Sequence, residues 1–157
     1  MPYSKLYASL ITFSVLSLAC SVWTAEKKST LAFYTVSPKK IEGGRFIDTK
    51  EFPKLGYIAA KPGLVIAQLK EARLIKRPGD RPNILITLQD KQANQLEDFT
   101  DKNVGKTILL LLGTEPLIAP RVVEKIRTPV LQISLSDEHK RMKILKALKQ
   151  LTEKPKH

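Results

Sequence analysis

The stretch TDKNVGKTILLLLG, Thr100 to Gly113, decides how the rest of the chain is read. Its Gly105-Lys106-Thr107 matches the second half of the phosphate-binding pattern G-x-x-x-x-G-K-[ST]. A loop of that kind needs a first glycine so that main-chain N–H groups can curl around the anion, with a strand entering and a helix leaving. Here Thr100 stands at the first-glycine position and the flanks are reversed: the helix-like DKQANQLEDF precedes the loop and the strand-like TILLLL follows it. A loop in that order cannot aim a helix N-terminus at an anion held by Gly105 and Lys106. Gly105 is expected instead to be a helix C-cap with positive φ. TILLLL does not alternate, which predicts a strand covered on both faces.

Upstream, Asp90 is expected to cap a helix running to about Thr100, with Leu96 and Phe99 on one face. Before it, LVIAQLKEARLIK suits a long strand or a helix; the turn cluster RPGDRPN and the strand-like ILITL favour a hairpin, while Leu64 to Lys70 keeps a helical composition. LAFYTVS, Leu31 to Ser37, has the aromatic and β-branched content of a strand. Between Lys39 and Pro62, Gly43-Gly44, Pro53 and Pro62 surround RFI and LGYIAA, which fits loops between short strands. Downstream, PLIAP and VLQIS are short strands, and RVVEKIRTP between them has room for a helical turn. Ser136 is expected to cap a helix over Asp137 to Leu151, with Ile144, Leu145, Leu148 and Leu151 on one face and His139, Lys143, Lys146 and Lys149 on the other. With no βαβ repetition, the class is α+β: a small mixed or antiparallel sheet with two helices packed on one face.

The 157 residues and 43% hydrophobic content suit one domain with a real core. A net charge of +12 suits an anionic partner without choosing among nucleic acid, acidic lipid and acidic protein. The N-terminus narrows the choice. Lys5 precedes an uncharged run from Leu6 to Trp23, and Glu26, Lys27 and Lys28 follow, which is a signal-segment layout. Ser9, Thr12, Ser14, Ser17 and Ser21 dilute that run, so export with cleavage is the leading reading, beside an uncleaved anchor or a buried core helix. The single cysteine, Cys20, closes the run, and one thiol can make no internal disulfide. SLAC resembles the bacterial lipoprotein signal, which makes Cys20 a lipidation candidate; Ser17 stands where leucine is usual. Ordinary cleavage after Ala19 or Ser21, or a cysteine serving as apolar filler, are the alternatives.

From about Gly63 to Leu151 the residues resemble the head of the first periplasmic domain of SecD, a membrane subunit of the bacterial protein-export machinery. The resemblance rests on Phe99, Thr100, Asn103, Gly105 and Lys106, the apolar strand after them, Ala119-Pro120, Ile126, Ile133-Ser134 and the helix after Ser136. Gly113-Thr114 replaces the usual Asp-Gly loop, and Thr128-Pro129 replaces a glycine turn. The resemblance implies an α+β head and a polypeptide or envelope-complex partner. The membrane helices that couple proton flow to export in SecD have no counterpart in this sequence beyond its leader.

Chemistry finds little support. His139 sits in a lysine-rich helical face and His157 at the last position, neither beside further metal ligands. Glu97-Asp98 and Asp137-Glu138 are adjacent in sequence and do not face one another across a cleft. Aromatics make up only 6% of the chain, few for stacking bases, so nucleic acid is the less favoured partner. The expectation is therefore a non-catalytic cell-envelope binding module without cofactor or metal. It is expected to have a leader over residues 1–25, strands and loops over 26–62, the SecD-head-like part over 63–151 and a frayed tail over 152–157. It would be exported and periplasmic, with membrane anchoring through lipidated Cys20. Docking on anionic lipid through Lys143, Lys146 and Lys149, or on nucleic acid, is the alternative.

Overall fold

The computed structural model describes residues 29–153, so the leader with Cys20 lies outside the described residues, as does His157. The elements run β1 (Leu31–Ser37), β2 (Arg45–Ile47), β3 (Gly56–Ile58), β4 (Leu64–Ile66), β5 (Leu69–Ile75), β6 (Asn83–Leu88), α1 (Asp90–Asp101), β7 (Thr107–Leu112), β8 (Glu115–Ile118), β9 (Val130–Ile133) and α2 (Glu138–Gln150). The class is α+β and every strand pair is antiparallel. Where one sheet was expected, the strands divide into two: β2-β3-β1-β7-β8 with β4 also on β1, and β5-β6-β9.

The centre of the larger sheet is the β1–β7 pair, in register from Leu31↔Leu112 to Val36↔Thr107. Successive side chains of a strand point to opposite faces, so β7 splits its apolar run between two cores. Ile108, Leu110 and Leu112 join Leu31 and Phe33 in the main core. Leu109 and Leu111 pack with Ile47 and Ile58 in a second cluster, which Phe52 and Leu55 of the β2–β3 connection help to cover. Both faces of β7 are thus covered, which is why its sequence does not alternate.

The stretch LVIAQLKEARLIK is neither one strand nor a helix. Leu64–Ile66 pairs with β1, whereas Leu69–Ile75 forms the expected hairpin with β6, so the chain passes from one sheet to the other at Ala67-Gln68. The segment 121–129 holds no helical turn. Val122 N–H donates to the Lys106 carbonyl and Ile126 N–H to the Thr100 hydroxyl, so its amides are spent on neighbouring elements.

Each helix N-cap lies one residue from the position expected. Asp90 is the first helical residue of α1 and Gln89 its N-cap, with Gln92 Oε1 accepting from Gln89 N–H at 3.2 Å. A carboxylate in the first turn is still favourable beside the helix N-terminus. For α2 the cap is Asp137, not Ser136; its carboxylate accepts from Lys140 N–H at 3.0 Å. That hydrogen bond, first among its causes, holds the Asp137 carboxyl below the usual carboxylate range. Because the folded-state value is the lower one, this cap stabilises the helix above the ordinary carboxylate pKa and its contribution is lost as pH falls through the depressed value.

Gly105 has φ +82° as expected, yet it is not the helix cap: α1 ends at Asp101 with Lys102 as an αR C-cap. Lys106 N–H donates to the Asn103 carbonyl at 3.0 Å, which puts Gly105 at the third position of a tight turn whose φ there is near the type II value. A Cβ added at Gly105 would meet nothing within 4 Å, so only the backbone conformation demands glycine. Gly105→Ala should therefore cost about 1 kcal/mol, readable as a shifted urea midpoint at unchanged slope. A variant as stable as the parent would show that the turn relaxes into another conformation.

Candidate functional site

The residues that carried the SecD resemblance gather at one joint. Phe99 stacks edge-on against Phe33, with ring centroids 6.2 Å apart. Thr100 is 1% exposed, and its hydroxyl donates to the Leu96 carbonyl at 2.8 Å and accepts from Ile126 N–H at 2.9 Å. Asn103 Nδ2 donates to the Phe99 carbonyl at 2.7 Å, and its Oδ1 accepts from the Thr35 hydroxyl at 2.9 Å. Lys106 Nζ reaches the same oxygen at 3.4 Å. Ile108 N–H donates to the Pro120 carbonyl, and Ala119 packs beside the second cluster. Together these contacts fasten the end of α1 to β1, β7 and the 119–126 segment. Replacing Thr100 by valine keeps the volume but strands the Ile126 amide, which should destabilise by about 1–3 kcal/mol, while Thr100→Ser should recover most of the loss. Equal stability of the valine variant in urea would mean that water reaches that amide.

Beside this joint the two sheets leave a gap. An open groove of about 640 Å³ lies between β8 and β9, with Leu117 and Ala119 on one wall and Gln132 and Ser134 on the other. Glu51 and Phe52 of the β2–β3 connection and Asp137 and Lys140 of α2 also line it. The Lys140 ammonium is the centre of an ionic cluster: it pairs with Glu51, lies 3.9 Å from Glu115 and donates to the Pro116 carbonyl at 3.4 Å. This ties the β2–β3 connection and β8 to the start of α2.

A second space of about 330 Å³ adjoins the groove, since Ile118, Pro120 and Gln132 border both. Its other walls are mostly apolar, among them Phe33, Leu96, Leu110, Ile126 and Ile133, with Thr100, Arg121 and Glu124 also bordering it. Val123, on the irregular segment at its rim, is 83% exposed.

Lys143, Lys146 and Lys149 lie on the exposed side of α2, and Lys143 is engaged by Glu115 at 3.0 Å. They are not in the groove. Sequence reasoning missed Gln132, Ser134 and Lys140 as site residues. The signal available was Pro129 next to a short uncharged run, a mark of an edge strand. It also missed Arg141, which is 5% exposed on the apolar stripe of α2 and donates through Nη1 to the Leu135 carbonyl at 2.9 Å. Its spacing to Ile144, Leu145 and Leu148 places it on that face. Among the described residues, no cluster of three or more His, Cys, Asp or Glu could hold a metal ion, and no helix is long and apolar enough to cross a membrane.

No protein-family model matches this chain, and no curated protein matches it by sequence. Solved structures do. SecDF, described as a membrane component that enhances protein export, superposes with a TM-score of 0.60 at 22% identity, over 80% of this chain and 64% of that one. SecDF in its super-membrane-facing form gives 0.60 at 21% identity, over 80% of this chain and 19% of that one. SecDF from Thermus thermophilus, a translocon-associated membrane protein, gives 0.51 at 21% identity, over 79% and 19%. The fold is the SecD-like one that the sequence resemblance implied, and the chain spans less than two thirds of the length of each of these structures.

Proposed function

From the premise of a SecD-like fold, we propose that this protein is a non-catalytic binding module of the cell envelope that holds polypeptide during export. The observation that carries this reading is the groove between β8 and β9, continuous with an apolar space beside it. An open channel with an apolar flank suits an unfolded chain, which offers main chain and occasional large apolar side chains together. The SecDF structures supply the export context, as proteins described in those terms. The test is titration of the full chain with a fluorescently labelled, reduced and carboxymethylated polypeptide. Saturable binding that the folded form of the same polypeptide does not compete for is the expected result; absence of saturable binding would end the reading.

The same reading places the protein at the membrane through Cys20. Palmitate labelling of cells should mark the wild-type chain and not Cys20→Ser, whereas a mature N-terminus at Val22 or later would rule the lipid out.

A second reading, docking on anionic lipid, draws on the exposed Lys146 and Lys149 and on the net charge of +12. Charge reversal at Lys143, Lys146 and Lys149 should then weaken binding to phosphatidylserine vesicles by up to about 1 kcal/mol per residue, with a strong salt dependence.

A further inference from the structure

We propose that the aromatic pair Phe46 and Tyr57, with the lysines beside it, docks on an anionic lipid surface. This takes the lipid reading to a different face from the lysines of α2, and it does not depend on what the groove holds. Ser37 of β1 and Phe46 of β2 both stand opposite Tyr57 of β3, so the three side chains form one row across the sheet. By strand alternation Ser37 shares its face with Thr35 and Phe33, so the row continues the face that Phe33 turns to the main core. Phe33 is met by Phe99 and Thr35 by Asn103. Phe46 and Tyr57, by contrast, belong to neither core: their ring centroids lie 4.9 Å apart, and Phe46 is 47% exposed.

Lysines border the row. Lys39 N–H donates to Ser37 Oγ at 3.1 Å, which holds Lys39 beside the row with Lys40 next to it. Lys106 Nζ, 3.4 Å from Asn103 Oδ1, stands near Thr35, one step along the same face. All three lysines are exposed. Between Pro38 and Pro62 the chain carries five lysines and one arginine against three acidic residues. Of those acids, Asp48 accepts from Lys54 N–H and Glu51 pairs with Lys140, so two are engaged within the fold. None of the six basic residues makes an ion pair among the described residues.

Half-exposed rings beside unpaired cations suit the membrane–water interface, where aromatic side chains sit at headgroup level and lysine stems carry their ammonium groups to the phosphates. The residue types favour lipid over protein. Interfaces between proteins are enriched in arginine and depleted in lysine, because ordering a long flexible stem against a fixed partner costs entropy. A fluid layer of phosphates asks for no fixed geometry, and each lysine near it contributes by its charge. Five of the six basic residues here are lysines, so headgroups are the better match.

The test is lysine footprinting of the full chain by brief acetylation, read residue by residue by mass spectrometry. It is run with vesicles of phosphatidylcholine alone and of phosphatidylcholine and phosphatidylglycerol in equal parts. The leader can enter either kind of vesicle, so the position of the protection decides and not attachment alone. Lys39, Lys40 and Lys106 should react about fivefold more slowly with the anionic vesicles, a ratio equivalent to about 1 kcal/mol, and regain their rates in high salt. Phe46→Ser, at a half-exposed position, should fold and lose most of that protection although it changes no charge. Equal reactivity with the two kinds of vesicle overturns the proposal, and so does protection that a folded Phe46→Ser variant retains. Protection of Lys146 and Lys149 without Lys39, Lys40 and Lys106 would keep the lipid reading on α2 and overturn this one. Protection without vesicles that grows with protein concentration would make a second copy the occupant and would equally overturn it. If Phe46→Ser loses the carboxymethylated polypeptide, the surface serves that partner and the proposal falls. Should Phe46→Ser not fold, the comparison of the two lipids decides alone.

Discussion

Leu148→Ala is expected to destabilise the protein by about 2–5 kcal/mol, a large share of the stability of a domain this size. Leu148 is fully buried on the stripe of α2 that also carries Ile144, Leu145 and, just past the helix, Leu151. It belongs to the main core with Leu69, Ile84 and Ile86 of the smaller sheet. Leu69 N–H also donates to the Leu151 carbonyl at 2.9 Å, so the end of the helix is pinned to β5 and cannot slide to fill a cavity. Urea denaturation gives the number, and Lys146→Ala, on the exposed side, should stay within about 0.5 kcal/mol of the parent. A loss below 1 kcal/mol at Leu148 would mean that the helix packs more loosely than these contacts imply.

Gly56→Ala is expected to cost about 2–6 kcal/mol, and to act on one part of the molecule first. Gly56 opens β3 with φ +132°, a conformation almost closed to residues with a Cβ, which adds about 1–3 kcal/mol of backbone strain. A Cβ there would stand 2.7 Å from the Ser37 carbonyl oxygen and 2.9 Å from Val36 Cγ1, both on the neighbouring strand. A main-chain oxygen within a ladder cannot swing aside, so overpacking contributes about another 1–3 kcal/mol. The β2–β3 pair should therefore loosen and expose Leu109 and Leu111, whose cover includes Ile47 and Ile58. Hydrogen exchange should show early loss of protection in β2 and β3 while β5 and β6 remain protected. Uniform loss across both sheets would indicate a single cooperative unit instead.

Several elements were legible because their signals are local. LAFYTVS is a strand by side-chain type and spans the same residues in the structure. TILLLL lacks alternation because it is buried on both faces, and the apolar stripe of α2 follows the helical period. The conformation of Gly105 was legible too, since a loop between a helix and a strand wants a residue without a Cβ. Its role was not: a cap and a tight turn make the same demand on φ and differ only in which carbonyl receives the next amide.

The sequence by itself determined the α+β class, the two faces of β7 and the inner face of α2, since each depends on residue type and on a period of two or 3.6 within one segment. Only the tertiary structure decided that the strands form two sheets, that the chain changes sheet at Ala67-Gln68, and that β8 and β9 face one another across a groove. Periodicity records which side of a strand is apolar and nothing about which strand lies beside it. Main-chain hydrogen bonds are the same for every residue except proline, so which strands pair is decided only when distant segments are brought together.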